Sequence, residues 1–367
     1  MKYLMIVFIV AATVIIIAGH GLLFVSWVKF FHITSHSLKL WLGIALGILS
    51  ISFLVTILLV HAVETQYTDA LYAGASAWLG FVWYAALAVA LTWALIGLAK
   101  LAQVNLPIST ISAILLVIAL GVSVYGVWNA FHPVVTRITV RLPNLPETWK
   151  GRVAVQLSDI HLGPIHRKSF LDDVLALTKK ENPDIVFVTG DLFDGGGADI
   201  ANLPLAFNTL TPPLGTFFNT GNHEQYLGLE KSLAAIAKTN LRVLRNEIVD
   251  ADGMQIAGLD YADTPDRTAI QSVLAKRDTT APLIALYHVP ILRDLFQENG
   301  VNLQLSGHTH KGQLWPFGII TKWVYQGKDI GLHTDGEYNI YTSTGVGTWG
   351  PPMRTGNRPE IVVIRFE

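Results

Sequence analysis

The chain has 367 residues, of which 51% are hydrophobic and 14% charged, with a net charge of −1 and an isoelectric point near 6.9. Soluble domains carry about 25% charged residues, and the deficit lies in one half: residues 1–132 hold four basic residues (Lys2, Lys29, Lys39, Lys100) and two acidic ones (Glu64, Asp69), against 22 and 25 in 133–367. That excludes a single soluble domain and a wholly intramembrane protein; the lack of Cys excludes a disulfide scaffold and a cysteine-ligated metal site, and the balanced charge gives no reason to expect a nucleic-acid partner.

Four apolar runs come first, roughly Tyr3–Trp27, Leu40–Val60, Ala77–Ala99 and Ile108–Trp128, none containing Lys, Arg, Asp or Glu. Each has the ~20 residues that cross ~30 Å of hydrocarbon as a helix, and none keeps the polar face of a helix in water. The first run is too long for a signal-peptide core and lacks a small-residue cleavage site, so it reads as a retained span. Residues 1–132 are therefore expected to form an all-α bundle of four transmembrane helices in a multi-pass protein of the cell membrane. Trp27, Trp41, Trp78, Trp128 and Tyr3 lie near the run ends, as interfacial aromatics or ordinary lipid-facing ones. Lys2, Arg137 and Arg141, with Lys150 and Arg152 further out, face Lys29, Lys39 and Lys100 across the bilayer, a count that leans toward cytoplasmic termini and a cytoplasmic catalytic domain. His20, between Gly19 and Gly21, reads as a packing or interfacial histidine. With no ionisable residue at mid-depth, this half reads as an anchor or platform, not a transport path.

Residues 133–150 read as a linker, because Pro133, Pro143 and Pro146 discourage a continued helix. From 151 to 367 the pattern is α/β. Strands are expected at Val153–Ser158, Ile185–Thr189, Thr216–Asn219, Met254–Gly258, Leu283–Tyr287, Leu303–Ser306, Tyr338–Ser343 and Glu360–Phe366. Helices are expected at Lys168–Lys180, Glu230–Thr239, Ala269–Lys276 and near Ile291–Glu298. Continuous apolar strands alternating with helices imply a sheet buried on both faces.

Polar clusters stand where five strands stop: Asp159-Ile160-His161, Gly190-Asp191, Gly221-Asn222-His223-Glu224, His288, and Gly307-His308-Thr309-His310. At an extended strand end, Asp159 and His161 point the same way. Crevices in open α/β sheets lie outside the carboxyl ends of strands, so these clusters can converge. A set of Asp, Asn and His without Cys suits Mn, Fe, Zn or Co, and it is large enough for two ions.

The ordered series Asp-x-His, Gly-Asp, Gly-Asn-His-Glu, His, Gly-His-Thr-His resembles that of the calcineurin-like metallophosphoesterases over about residues 150–367. The tail from Tyr341 through Pro351-Pro352-Met353-Arg354 to Ile361 resembles their membrane-associated bacterial branch. The resemblance implies a two-sheet β-sandwich flanked by helices and two divalent metal ions. It assigns Asp159, His161 and His310 to one ion and Asn222, His288 and His308 to the other, with Asp191 bridging. It implies attack on phosphorus by a hydroxide held between the ions, with His223 stabilising the phosphoryl group or protonating the leaving oxygen.

Other residues read more plainly. Glu224 is expected to support a ligand by hydrogen bonding. Asp194 is either such a support or a turn residue. His166 and His333 read as surface or loop histidines. Gly195-Gly196-Gly197 is a flexible loop and no phosphate cradle, since no helix with Lys-Ser/Thr follows. Arg354 and Arg358 are expected in loop salt bridges ahead of phosphate contacts. Trp315, Trp323, Tyr325 and Trp349 are expected in core packing, ahead of an apolar wall beside the metals that faces lipid. The expectation is a membrane-anchored phosphoesterase acting on a phosphorylated small molecule or lipid. The alternatives are a pyrophosphohydrolase of a nucleotide-linked lipid precursor and a non-catalytic metal-binding sensor or transporter accessory. Natural substrate, native metals and oligomeric state are not readable from the sequence.

Overall fold

The computed structural model describes residues 2–63, 65–194 and 200–367, so the triple glycine at 195–197 lies outside the described residues. The chain divides into two compact units, Met1–Trp128 with Gly350–Met353, and Asn129–Trp349 with Arg354–Glu367.

Among the described residues, the first unit holds four helices: α1 (Lys2–Phe30), α2 (His36–Ala62), α3 (Gln66–Ala102) and α4 (Ile108–Ala130). All are long and apolar enough to cross a membrane, with mean hydropathy of 2.0 to 2.6. Ser35 caps α2, and Thr65 with Thr68 forms a capping box at α3, which satisfies backbone donors that a helix start leaves open. The third helix runs 37 residues, well past its apolar run, and takes in Asp69 and Lys100 near its ends. Leu23, Phe30, Leu46, Val82, Ala85 and Val89 form the packed seam.

The second unit is two six-stranded sheets with helices on the outer faces. Its strands are β1 (Val134–Val140), β2 (Val153–Leu157), β3 (Ile185–Thr189), β4 (Thr216–Asn219), β5 (Leu241–Val243), β6 (Glu247–Ala251), β7 (Met254–Gly258), β8 (Leu283–Leu286), β9 (Leu303–Ser306), β10 (Gly331–Asp335), β11 (Tyr338–Thr342) and β12 (Glu360–Phe366). Its helices are α5 (Lys168–Lys180), α6 (Asn222–Leu227), α7 (Leu229–Ile236), α8 (Arg267–Leu274), α9 (Arg293–Glu298) and α10 (Gly318–Val324). One sheet has the order β1-β12-β2-β3-β4-β5 and the other β10-β11-β9-β8-β7-β6.

Strand alternation builds the layers. Ala154, Ile185 and Phe187 join Ile284, Leu286, Leu303 and Leu305 between the sheets. The intervening Val155, Leu157, Val186 and Val188 pack on Phe170, Leu171 and Val174 of α5, while Leu283 and Ala285 pack on Ile270, Val273 and Leu274 of α8. Two buried faces explain the uninterrupted apolar runs.

All eight expected strands are present. The four others, β1, β5, β6 and β10, are the outer strands of the two sheets. An outer strand is half solvated, so its apolar signal is weak; β1 reads VVTRITV with mostly intermediate burial. The stretch 133–150, read as a linker, holds β1 and one turn of 3-10 helix at Glu147–Trp149. The helix expected at Glu230–Thr239 appears earlier, as α6 and α7 separated by Gly228, whose φ of 101° breaks the turn.

Candidate metal centre

Strands β2, β3, β4 and β9 deliver their polar clusters from their carboxyl ends. The backbone beyond β2 is not extended, contrary to what the i, i+2 spacing of Asp159 and His161 suggests. In the structure the strand stops at Leu157, and Asp159 and His161 have φ of 53° and 54°. Asp191, His308 and His310 are also left-handed, at 51°, 70° and 45°. Such conformations are costly for residues with a Cβ and concentrate at functional sites. The loops after β2 and β3 hold each other by backbone bonds, Asp159 N–H to Gly190 O and His161 N–H to Asp191 O, both 3.1 Å. Tight approach demands glycine here: a Cβ on Gly221 would lie 2.2 Å from Asp191 Oδ1, and one on Gly190 2.6 Å from His288 Nδ1.

Three ligand-competent groups result among the described residues: His161 with Asp194 and His223, and two that hold the expected ligands. In the first of those two, Asp159, His161 and His310 present atoms within 4.8 Å of one another. His161 Nε2 faces His310 Nε2 at 3.0 Å, and His310 Nε2 stands 3.3 Å from Asp159 Oδ1. In the second, Asp191, His288 and His308 do the same, and Asn222 Oδ1 lies 2.8 Å from His308 Nδ1. Asp191 joins the groups through one oxygen. Its Oδ2 is 3.1 Å from His288 Nε2 and 3.9 Å from His161 Nε2, while Oδ1 accepts the backbone N–H of His223 at 2.9 Å.

This donor set fits divalent cations. The ligand-competent side chains are buried apart from a partly exposed His308. His288 Nε2 is buried and faces Asp191 Oδ2 at 3.1 Å without a well-formed hydrogen bond, an alignment of nitrogen and carboxylate on a common point that a bound cation would satisfy. His288 Nδ1 donates to Thr189 O at 2.8 Å, which turns the lone pair of a neutral ring to Nε2, as in metal-binding imidazoles.

Electrostatics agree with that fit. Burial opposes ionisation of Asp159 and Asp191, but the imidazoles of His310 and His288 close beside them overcome it and hold both carboxyls below their usual range. Burial works against a charged His288, yet Asp191 pushes it up to about 10. Burial lowers His308 to about 4, assisted by the charge of His288, and lowers His310 to about 3.

His223 stands beside both groups, its ring 4.5 Å from that of His161 and perpendicular to it. Its Nδ1 lies 3.0 Å from Asp194 O, so Nε2 is the free nitrogen. Burial and then the charge of His161 lower its pKa. The Asp194 carboxylate lies 3.4 Å from His161 Nδ1, in the position of a support and not of a plain turn. Glu224 accepts the N–H groups of Gly221, Asp191 and Leu192 at 2.7, 3.0 and 2.9 Å. It thereby ties the β3 and β4 loops together, and burial followed by the charge of Asp191 pushes it up to about 7.

Several expectations are corrected. Among the described residues Arg354 makes no loop salt bridge: it is fully buried, and its guanidinium donates to Thr344 O, Gly347 O, Asn357 Oδ1 and, at 2.9 Å, His310 Nδ1. No periodicity could link it to a histidine 44 positions away. Arg358 is exposed. His166 is buried and accepts the N–H of Thr348 at 3.0 Å; His333 is half-buried in β10. The core-packing expectation holds for Tyr325, which is half-buried against the core of the second sheet, and fails for the tryptophans, since Trp323 is 81% exposed and Trp315 and Trp349 more than half exposed. Tyr325 and Trp349, with Tyr226, Phe317 and Ile320, line a cavity of about 590 Å³ whose floor includes Asp191, Asn222, His308 and His310. That volume suits a small organic ligand.

A double-sheet sandwich with Asp, Asn and His converging at its strand ends defines a metal-dependent hydrolase scaffold. The profile of the calcineurin-like phosphoesterase family matches residues 153–312. An uncharacterized metallophosphoesterase of Aquifex aeolicus is 35% identical over 260 residues, 68% of this chain and 98% of that protein. One of Campylobacter jejuni is 36% identical over 241 residues, 64% of this chain and 63% of its own length. A zebrafish protein described as a transmembrane protein with metallophosphoesterase domain is 32% identical over 268 residues, 68% of this chain and 61% of that one. The chain belongs to the calcineurin-like metallophosphoesterase family.

Proposed function

We propose that this protein is a multi-pass membrane phosphoesterase that hydrolyses a P–O bond with two divalent ions. The observation that carries the reading is Asp191 Oδ2, which faces both groups of expected ligands at once. Asp159, His161 and His310 would hold one ion, Asn222, His288 and His308 the other, and Asp191 both. When bound, such a pair lowers the pKa of water and stabilises charge on phosphoryl oxygens. The chain's own contribution is to aim these donors by left-handed turns and by the carboxylate of Glu224. His223 brings Nε2 to the cavity, where a protonated ring can pass a proton to the leaving oxygen and a neutral one cannot. The apolar walls of the cavity favour a substrate with an apolar portion, which fits a phosphorylated lipid or a nucleotide-linked lipid pyrophosphate better than a simple sugar phosphate.

The test is the full-length protein in detergent, supplied with Mn, Fe, Zn, Co or Ni, on aryl phosphomonoesters, aryl phosphodiesters and pyrophosphates. Turnover with one or more of these metals, abolished by chelation and by Asp191→Asn, is expected. No hydrolysis with any of them would favour the non-catalytic metal-binding alternative. Reporter fusions after residue 132 test the cytoplasmic placement of the catalytic domain.

A further inference from the structure

Beyond residue 131, the exposed large apolar side chains among the described residues are Tyr226, Trp315, Ile319, Ile320, Trp323, Val324 and Trp349. They are not scattered, as single exposed apolar residues usually are. Tyr226, Ile320 and Trp349 line the cavity over the candidate metal centre, and the other four belong to α10 or the turn leading into it. Helix α10, sequence GIITKWV, buries none of its seven residues. Helices of soluble domains hold their place by burying an apolar stripe, and this one presents Ile319, Ile320, Trp323 and Val324 outward.

The accessible charge of this segment is basic: Lys322 is exposed and Lys328 half-buried, while the adjacent Asp329 is buried and paired with Lys311 at 3.7 Å. Apolar and tryptophan side chains beside lysines are the composition of segments that lie in a lipid interface, where the rings sit at headgroup depth and lysines meet anionic lipid. The same chain carries segments that would bring it to a membrane. Four of its helices are long and apolar enough to cross a membrane, and only residues 131–133 separate α4 from β1.

We propose that Trp315, α10 and Trp349 form an interfacial docking surface that seats the rim of the catalytic cavity in a bilayer containing anionic lipid. The cavity then opens at headgroup depth, where the phosphate of a lipid lies. Water-soluble substrates would reach it only from the side left uncovered. The docking surface is separate from the phosphoesterase reading, because it can be tested without turnover.

The chain has no Cys, so a single label can be placed without background. Spin labels are put on Ile319→Cys, Trp323→Cys and, as a control, Lys276→Cys, an exposed position two residues past the end of α8. The full-length variants are reconstituted in phosphatidylethanolamine–phosphatidylglycerol vesicles. An unchanged thermal transition reports that each variant is folded. Labels at 319 and 323 should collide with oxygen more than with a water-soluble nickel chelate, and the label at 276 should do the reverse. Replacing phosphatidylglycerol by phosphatidylcholine should raise nickel access at 319 and 323. Nickel access at 319 and 323 equal to that at 276 would overturn the proposal. So would exclusion of both probes or spin–spin broadening, which would indicate cover by protein or by a second copy.

Discussion

The two units bury polar groups in opposite ways. In the N-terminal unit the polar side chains mostly close on their own helices: Thr92 bonds Ala88 O, Ser123 bonds Ala119 O, and Ser50 bonds Gly47 O. His20 is satisfied on both nitrogens, Nδ1 by Ile16 O at 2.8 Å and Nε2 by Trp78 Nε1–H at 2.9 Å. Ser76, Ser112 and the Trp27 indole lack partners, but they are isolated neutral donors. In the C-terminal unit, imidazole nitrogens and carboxylates are instead aimed at one another across loops, and His288 Nε2 faces Asp191 Oδ2 at 3.1 Å without a well-formed hydrogen bond. Satisfied polar groups stabilise a bundle, whereas converging unsatisfied ones mark a place for a ligand. The difference separates the apolar helical unit from the unit that holds the candidate metal centre more sharply than composition does.

Four perturbations probe that contrast. The largest effect is expected from His223→Ala. It should lower turnover by about 10²–10⁴-fold on substrates with alkyl leaving groups and by much less on nitrophenyl esters, whose leaving oxygen needs no proton, while metal content stays unchanged. Equal losses on both would remove its proton-transfer role. Because its pKa is lowered, the protonated form disappears as pH rises from below the ordinary histidine value. Turnover of alkyl esters should therefore fall with rising pH while that of nitrophenyl esters falls less.

Arg354→Met comes next. It leaves the carbonyls of Thr344 and Gly347 without a donor, so stability should fall by about 1–3 kcal/mol; it also removes a buried cation and frees His310 Nδ1 to carry the ring proton, so that Nε2 can ligate and metal affinity should rise. Denaturant unfolding reads the first and calorimetric titration with Mn²⁺ the second. Unchanged metal affinity would make Arg354 a purely structural residue.

The third effect is proton release. Without metal, His288 is protonated at neutral pH because its pKa is pushed up to about 10, and ligation requires the neutral ring. Metal binding at pH 7–8 should release that proton, and affinity should strengthen as pH rises toward 10. Titrations in buffers of different ionisation enthalpy check this; no buffer dependence would contradict it. His308 and His310 lie far below 7, so they add no proton in this window.

The smallest effect should come from His20→Ala. It removes two hydrogen bonds inside the apolar unit, so the melting temperature should drop slightly while kcat stays unchanged. A loss of hydrolysis would break the division between anchor and chemistry.

How much the sequence revealed follows from burial. Central strands read clearly because both faces are packed, and the eight expected strands are the eight inner ones. The four outer strands were not anticipated because half their residues meet solvent. Each motif at the site was visible because it followed a legible strand, but the means of convergence was not: left-handed φ at Asp159 and His161 replaces the assumed extended alternation. Arg354 and His166 act through partners distant in sequence, which no local pattern encodes. Helix α10 escaped notice because its apolar residues mimic core, and only exposure distinguishes them.

The central claim is that one carboxylate serves two ligand groups, and electron paramagnetic resonance of the Mn²⁺-loaded full-length protein tests it most directly. The account predicts two Mn²⁺ per chain with the spectrum of a spin-coupled pair, and loss of that coupling in Asp191→Asn. A single uncoupled Mn²⁺ in the wild-type protein, or coupling that survives Asp191→Asn, would contradict it.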